Sequence, residues 1–361
     1  MPYELFRFQD IDPKVWDAFV LAQGSGSIHQ VSTWKKFQEK IPGRDKVLGF
    51  GLIEKNKEEI IENKSSQVPK FSSSQVLITC LCIKRDVGFK NKFWFYSPRG
   101  PVFREELDQA ALDFFIQEVS KILKKEGAMF WRLDPYLIPN TQYLIPGSCP
   151  ATAEYQPTDS LVLDITGTED EILAQMKRKG RYNIKLAREK GVEIQIIPSG
   201  EVTQEPIEKY WHLSQETAGR DGFSTHDKAY HEAFIKDLSP YTVLGLALHE
   251  DQPIAGVINT CCGDKAIYYL GASSGNPDVR PLMAPYLLQW EMILYSKKQG
   301  CGSYDFTGIT PEGQPDHPYK GITQFKEKFG GARATYQGAR EIILNKTWYW
   351  LYRSLKYLSK K

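Results

Sequence analysis

Ile122-Leu-Lys-Lys-Glu-Gly127 runs into Met129-Phe-Trp-Arg-Leu-Asp134, and Tyr295-Ser-Lys-Lys-Gln-Gly300 runs into Tyr304-Asp305-Phe306. Both stretches read the same way: a basic helix end, a glycine stop, then a strand that carries an acid. Working outward, the helix before Gly127 begins near Glu105, with Leu107, Ala111, Phe114, Phe115, Val119 and Ile122 on one face. Three strand-like runs precede it, at 46–54, 75–84 and 92–96, with a polar loop at 55–74 between the first two. The helix before Gly300 covers about 284–298 and also follows three strands, at 242–249, 254–262 and 265–273. Short helices at 13–23 and 33–41 open the first half. In the second, a strand at 161–165 leads to one long helix from Thr168 to about Lys190, opened by a Thr168-x-x-Glu171 capping box. A strand at 193–197 and a helix at 204–218 follow. One unit therefore occurs twice, and an internal duplication is the simplest account.

The bulk composition agrees. At 361 residues, 41% hydrophobic and 25% charged, the chain has material for two cores. A net charge of +2 gives no global field for nucleic acid, so any such binding needs a local patch. No apolar run is long enough to span a bilayer, and the first residues do not read as a signal peptide. The cysteines at 80, 82, 149, 261, 262 and 301 have no CxxC spacing, so reduced core thiols in the cytoplasm are expected and no metal site.

The expected fold class is α/β, with mixed sheets in two tandem N-acetyltransferase-like (GNAT-like) domains. Domain 1 covers 1–150 and is joined by a C-terminal helix at 341–361, and domain 2 covers 151–340. No cofactor is expected. Coenzyme A needs bare amides at the start of the helix after the third strand, where Ser274–Pro285 brings Pro281 and Pro285.

The chain resembles the FemABX family, specifically its short members without a coiled-coil arm. The resemblance rests on His29-Gln30…Trp34, Tyr96-Ser-Pro-Arg-Gly-Pro-Val102, Arg132-Leu-Asp134-Pro135 and Leu163-Asp-Ile. It continues in Met176-Lys-Arg-Lys-Gly-Arg-Tyr-Asn-Ile184, Asp305-Phe-Thr-Gly308 and Gly321-Ile-Thr-Gln-Phe325-Lys326-Glu-Lys-Phe329-Gly-Gly331, the last being the most specific. It implies an aminoacyltransferase that moves an amino acid from aminoacyl-tRNA to a stem-peptide amine of a peptidoglycan precursor. Lys326 then corresponds to the lysine that stabilises the oxyanion, Phe325 shapes the aminoacyl pocket, and Asp134 attends the attacking amine. Taken alone, Lys326 is a solvated helix lysine, Asp134 a turn-forming Asp-Pro, and Asp305 a loop-capping carboxylate, which is the reading preferred for Asp305.

For substrate binding, the resemblance points to Lys36, Gln38, Arg99, His226, Tyr230 and Tyr269. Gln38 and His226 stand where the family carries cations for a diphosphate, and Gly271 stands where it carries a second tyrosine. The acceptor is accordingly either a UDP-linked or a lipid-linked muramyl peptide. Lys177, Arg178, Lys179 and Arg181 are candidates for tRNA phosphates, against the plainer reading of a solvated basic face. The aromatic, basic stretch 348–361 reads as a helix that docks on domain 1, with peripheral contact at the inner membrane face as the other reading. A monomer is expected. Two alternatives stay open: a transferase of this fold acting on a protein or lipid amine, and a non-catalytic homologue that binds precursor or tRNA.

Overall fold

The computed structural model describes residues 2–55, 72–89, 91–136 and 143–358. The polar loop read at 55–74 and the end of the C-terminal stretch fall mainly and partly outside them, respectively. The chain forms two compact units, one made of 1–158 with 336–361 and the other of 159–335.

Unit 1 runs β1 (Tyr3–Arg7), α1 (Pro13–Ala22), α2 (Ser32–Glu39), β2 (Val47–Glu54), β3 (Val76–Asp86), β4 (Phe93–Pro98), β5 (Val102–Phe103), α3 (Gln109–Lys125), β6 (Phe130–Asp134) and β7 (Ser148–Pro150). Unit 2 runs β8 (Asp159–Asp164), α4 (Glu169–Gln175), α5 (Arg178–Glu189), β9 (Glu193–Pro198), α6 (Gln204–Asp221), α7 (Lys228–Asp237), β10 (Thr242–His249), β11 (Gln252–Cys262), β12 (Lys265–Ser273), α8 (Ala284–Lys298), β13 (Ser303–Gly308), α9 (Lys320–Lys326) and β14 (Ala332–Thr335). The chain then returns to unit 1 with β15 (Arg340–Ile343) and α10 (Lys346–Leu358).

The repeat is explicit in the pairing. In unit 1 the sheet order is β1-β2-β3-β4-β6-β15-β7, and in unit 2 it is β14-β8-β13-β12-β11-β10-β9. Among the described residues each sheet makes one parallel step, β4 to β6 and β12 to β13, and its other pairings are antiparallel. A parallel step needs a crossover, and α3 and α8 supply it. Both helices end alike. Ala128 N donates to Leu123 O (3.2 Å) and Gly127 N to Lys124 O (3.0 Å); Cys301 N donates to Ser296 O (3.1 Å) and Gly300 N to Lys297 O (2.9 Å). This is the paired closure of a Schellman stop, which requires a left-handed residue; Gly127 has φ +92° and Gly300 φ +89°.

The cores follow from the strands. β3 is buried on both faces, and Leu112, Phe115, Ile116, Val119 and Leu123 of α3 pack beneath it. In unit 2, Leu287, Leu288, Met292 and Ile293 of α8 close the equivalent core.

One element departs from the reading of the sequence. The capping box at Thr168 and Glu171 is present, but the helix it opens ends at Gln175 and a second starts at Arg178. Met176 and Lys177 are extended (ψ 145° and 144°) because Lys177 N donates to Lys328 O (3.0 Å) instead of continuing the helix. The Arg181 guanidinium then donates to Met176 O (2.5 Å) and Leu173 O (3.3 Å), closing the end of α4. Helix α7, the edge strand β1 and the short strands β14 and β15 were not visible in the periodicity.

Candidate functional site

In unit 1, the end of β4 and the turn after it meet Asp134, and Gln30 holds that turn from a third stretch. The parallel register sets Pro98 of β4 beside Asp134 of β6. Tyr96 lies two residues earlier on β4, on the same face, and its hydroxyl donates to Asp134 Oδ2 (2.7 Å). Beyond Pro98 the backbone turns sharply, with Arg99 at φ +49°, and the Arg99 amide donates to Asp134 Oδ1 (2.5 Å). Gln30 braces that turn. Its amide donates to Pro98 O (2.7 Å), its carbonyl accepts from Leu81 N (2.7 Å), and a Cβ at position 100 would lie 2.5 Å from Gln30 Nε2. The His29 ring rests on Trp34 at 4.5 Å and pairs through Nδ1 with Ser27 Oγ (2.8 Å). The Arg99 guanidinium donates to Pro157 O (2.9 Å) and lies over the rings of Tyr136 (4.3 Å) and Tyr336 (5.3 Å).

The electrostatics follow from burial. Asp134 is 2% exposed, and desolvation pushes its carboxyl up to about 6 against the opposing pull of the Arg99 charge, the Tyr96 hydroxyl and the Arg99 amide. Burial, helped by the Arg99 charge, holds His29 down at about 3, so its ring is neutral at pH 7.

In unit 2 the focus is Lys326, at the end of α9 and 5% exposed. Its ammonium donates to Gly308 O (2.7 Å) and Thr307 O (3.2 Å) and lies 5.8 Å from the centre of the Tyr268 ring. Those carbonyls point inward because Thr307 is held at φ +55°, with its amide donating to Asp305 Oδ1 (2.7 Å) and its hydroxyl to Tyr268 O (3.3 Å). Asp305 thus caps the loop, as its position suggested. Desolvation lowers Lys326 to about 8, with the Asp305 charge opposing.

Phe325 is half-buried against Tyr286 (5.0 Å) and Phe329 (5.4 Å). The two glycines after Phe329 are sterically required: a Cβ on Gly330 (φ +82°) would lie 2.2 Å from Gln175 O, and one on Gly331 (φ +88°) 2.7 Å from Val162 O. The basic motif packs on the same segment. A Cβ on Gly180 would fall 2.4 Å from Lys328 O, and Lys177 Nζ pairs with Glu327 (2.8 Å). Of the four tRNA candidates, Lys177 and Arg181 therefore hold structure as well as charge, and Arg178 and Lys179 point outward from α5.

The remaining candidates fall into two groups. His226 stacks on Tyr230 at 3.7 Å, Tyr230 on Phe234 at 6.2 Å, and Phe234 on Tyr269 at 4.6 Å, a continuous aromatic row from an exposed imidazole inward. On α2, Lys36 is exposed, while Gln38 is fully buried and accepts from Arg44 Nη1 (3.0 Å). Arg44, the cation that Gln38 holds, lay outside the motif and gave no signal. Neither did the carbonyls of Thr307 and Gly308, because their direction depends on one left-handed residue. Tyr96 lies within a motif, but its bond to Asp134 depends on the parallel register.

Among the described residues no cluster of His, Cys, Asp and Glu has the geometry of a metal site, and no helix is long and apolar enough to cross a membrane.

A family model described as the FemAB family matches residues 11–151, 148–248 and 246–357. A lipid II:glycine glycyltransferase of Staphylococcus haemolyticus is 22% identical over 419 residues, covering 94% of this chain and 93% of that protein. Aminoacyltransferase FemA of Staphylococcus aureus is 22% identical over 379 residues, covering 80% of this chain and 88% of the relative. The match to the lipid II:glycine glycyltransferase of Staphylococcus epidermidis, also 22% identical, spans 62% of that protein's length and 56% of this chain. Among solved structures, FemX superposes with a TM-score of 0.79 at 19% identity, covering 97% of this chain and all of the other. A tandem GNAT protein from the clavulanic acid biosynthesis pathway superposes at 0.52 and 8% identity over 95% of this chain, which shows the shared fold. Matched by the family model from residue 11 through to residue 357, this chain belongs to the FemAB family.

Proposed function

We propose that the protein transfers an amino acid from aminoacyl-tRNA to an amine of the stem peptide of a peptidoglycan precursor. The observation that carries this reading is Lys326, a buried ammonium held by two neutral carbonyls within the motif most specific to the family. The reaction is aminolysis of an ester. The amine attacks the aminoacyl carbonyl, negative charge builds on its oxygen, and the bond to the tRNA 3′ oxygen breaks as an amide forms. An activated ester needs mainly positioning and charge stabilisation. Thr307 and Gly308 take two of the three donors of Lys326, and the third serves the developing oxyanion. In unit 1, Asp134, raised to about 6 and so ionised at pH 7, is the proposed proton acceptor. The one proton that the nitrogen loses balances the one that the departing ribose oxygen gains, which completes the exchange.

Arg99, Lys36, the Gln38–Arg44 pair and the row His226, Tyr230 and Tyr269 are the proposed grip on the acceptor. Arg178 and Lys179, with Lys177 and Arg181, meet the tRNA phosphates. The names of the glycyltransferase relatives favour a lipid-linked acceptor over a UDP-linked one. The test is incubation of the full chain with charged tRNA pools and both kinds of muramyl peptide, with amide formation as the readout. Transfer that depends on Lys326 supports the reading. Binding of precursor without transfer, for every amino acid tried, overturns it and leaves a binding homologue.

A further inference from the structure

α10 is built for two faces. Its inner face is fixed to unit 1. Tyr349 is fully buried, its hydroxyl donates to Glu341 Oε2 (2.7 Å), and Phe130 packs on both Tyr349 and Tyr352 at 5.4 Å. Its outer face is apolar where a soluble helix is usually polar. Among the described residues, five of the twelve exposed large hydrophobic side chains stand on this one element: Trp350, Leu351, Leu355, Tyr357 and Leu358. Between α10 and the segment after β3 runs a groove of about 230 Å³, lined by Phe89, Met129, Leu351 and Leu355, with Lys92 and Lys356 adding two ammonium groups. The helix carries Lys346, Arg353 and Lys356 and no carboxylate.

We infer that this face of α10 is a docking surface for an anionic phospholipid bilayer. The apolar side chains and the groove enter the acyl region, and the cations meet the phosphates. Charge selects this occupant. A second copy of the same face would set cations against cations in a two-fold interface, whereas an anionic headgroup layer neutralises all of them. The mixture of Trp, Tyr, Leu and basic residues on a helix lying in the surface is the composition of an interfacial element. The tie through Tyr349 leaves the helix folded before contact, so no ordering cost is added on binding. The inference does not rest on the transfer reaction, because vesicle binding reads no chemistry.

The test is co-sedimentation of the full chain with vesicles of phosphatidylcholine alone and of phosphatidylcholine mixed with phosphatidylglycerol. Binding should appear with the mixed vesicles and weaken as salt rises. Leu351→Ser with Leu355→Ser should lower it by about tenfold through lost apolar insertion. Lys92→Gln with Lys356→Gln should lower it by a similar factor and flatten the salt dependence. Lys92 also lies over the Trp348 ring (4.3 Å), so an unchanged thermal melt is required to establish that each variant is folded. Equal binding to neutral and anionic vesicles, or none to either, overturns the inference. So does a doubled mass in solution that the leucine changes abolish, which would assign the face to a second copy.

Discussion

Asp134 and Asp305 each stand on the strand that follows the crossover helix and its glycine stop, Asp134 beside Pro98 at the end of β4 and Asp305 beside Ile267 near the start of β12. Their environments differ in one respect. Asp134 accepts from a side-chain hydroxyl and from the amide of a turning residue, and burial lifts its carboxyl towards neutrality. Asp305 accepts from the Thr307 amide and so fixes the loop whose carbonyls hold Lys326. One unit buries its acid beside a phenol and an amide, and the other uses its acid to build the seat of an ammonium. The two units thus hold electrostatic opposites, a raised acid in one and a lowered ammonium in the other, at about 6 and about 8.

The largest break in that contrast is Lys326→Ala. Removing the proposed oxyanion donor should lower single-turnover transfer by roughly 10²–10³-fold, with acceptor binding by calorimetry little changed. A variant that transfers at the native rate removes Lys326 from the chemistry.

Asp134→Asn comes next, with a loss of about 10²-fold. The native pH–rate profile should be bell-shaped, falling below about 6 as Asp134 is protonated and above about 8 as Lys326 loses its proton. The variant should lose the acid limb only. Stability supplies a second readout. The folded carboxyl holds its proton more tightly than the unfolded one, so this stability is fully present below about pH 4 and is lost as pH rises through about 6. Relative to the Asn variant, denaturant titrations should show the native chain losing about 3 kcal/mol across that window.

A milder change is Asp305→Asn, which keeps an oxygen for the Thr307 amide but removes the charge that supports the Lys326 cation. The alkaline limb should move below about 8 with the acid limb unmoved; a shift of both limbs would mean that the two acids are not separable.

The smallest effect belongs to Tyr96→Phe. Loss of the hydroxyl that favours the carboxylate should push Asp134 above about 6 and reduce the rate at pH 7 by about threefold. An unmoved acid limb would assign that hydroxyl a packing role.

What was legible follows from how each feature is encoded. The repeat was readable because a Schellman stop demands glycine, and Gly127 and Gly300 therefore punctuate two otherwise dissimilar halves. Strands β3, β10 and β11 were readable because burial makes them long and apolar. The helix break at Met176 was not, since residues 168–190 carry no proline and the interruption comes from a partner 151 positions away, Lys177 N bonding Lys328 O. Asp134 and Lys326 could be named from the family motifs but not explained by them. Their partners are a backbone amide, two carbonyls and a phenol brought near by a parallel register. Gln38 reads in the sequence as a substrate-binding candidate standing in the place of a family cation; the fold encloses it and sets Arg44 beside it.

The path of the chain through unit 1 has a consequence for synthesis. Strand β15 lies between β6 and β7, and β7 joins the sheet only through it among the described residues. Glu341 of β15 also forms the buried ion pair with Arg132. Unit 2 is complete at Thr335, with β14 paired to β8, before β15 has left the ribosome. On a nascent chain the later-encoded unit can therefore close first. The earlier one, already made, lacks the Glu341 partner of Arg132 until residues 340–343 emerge to finish its sheet.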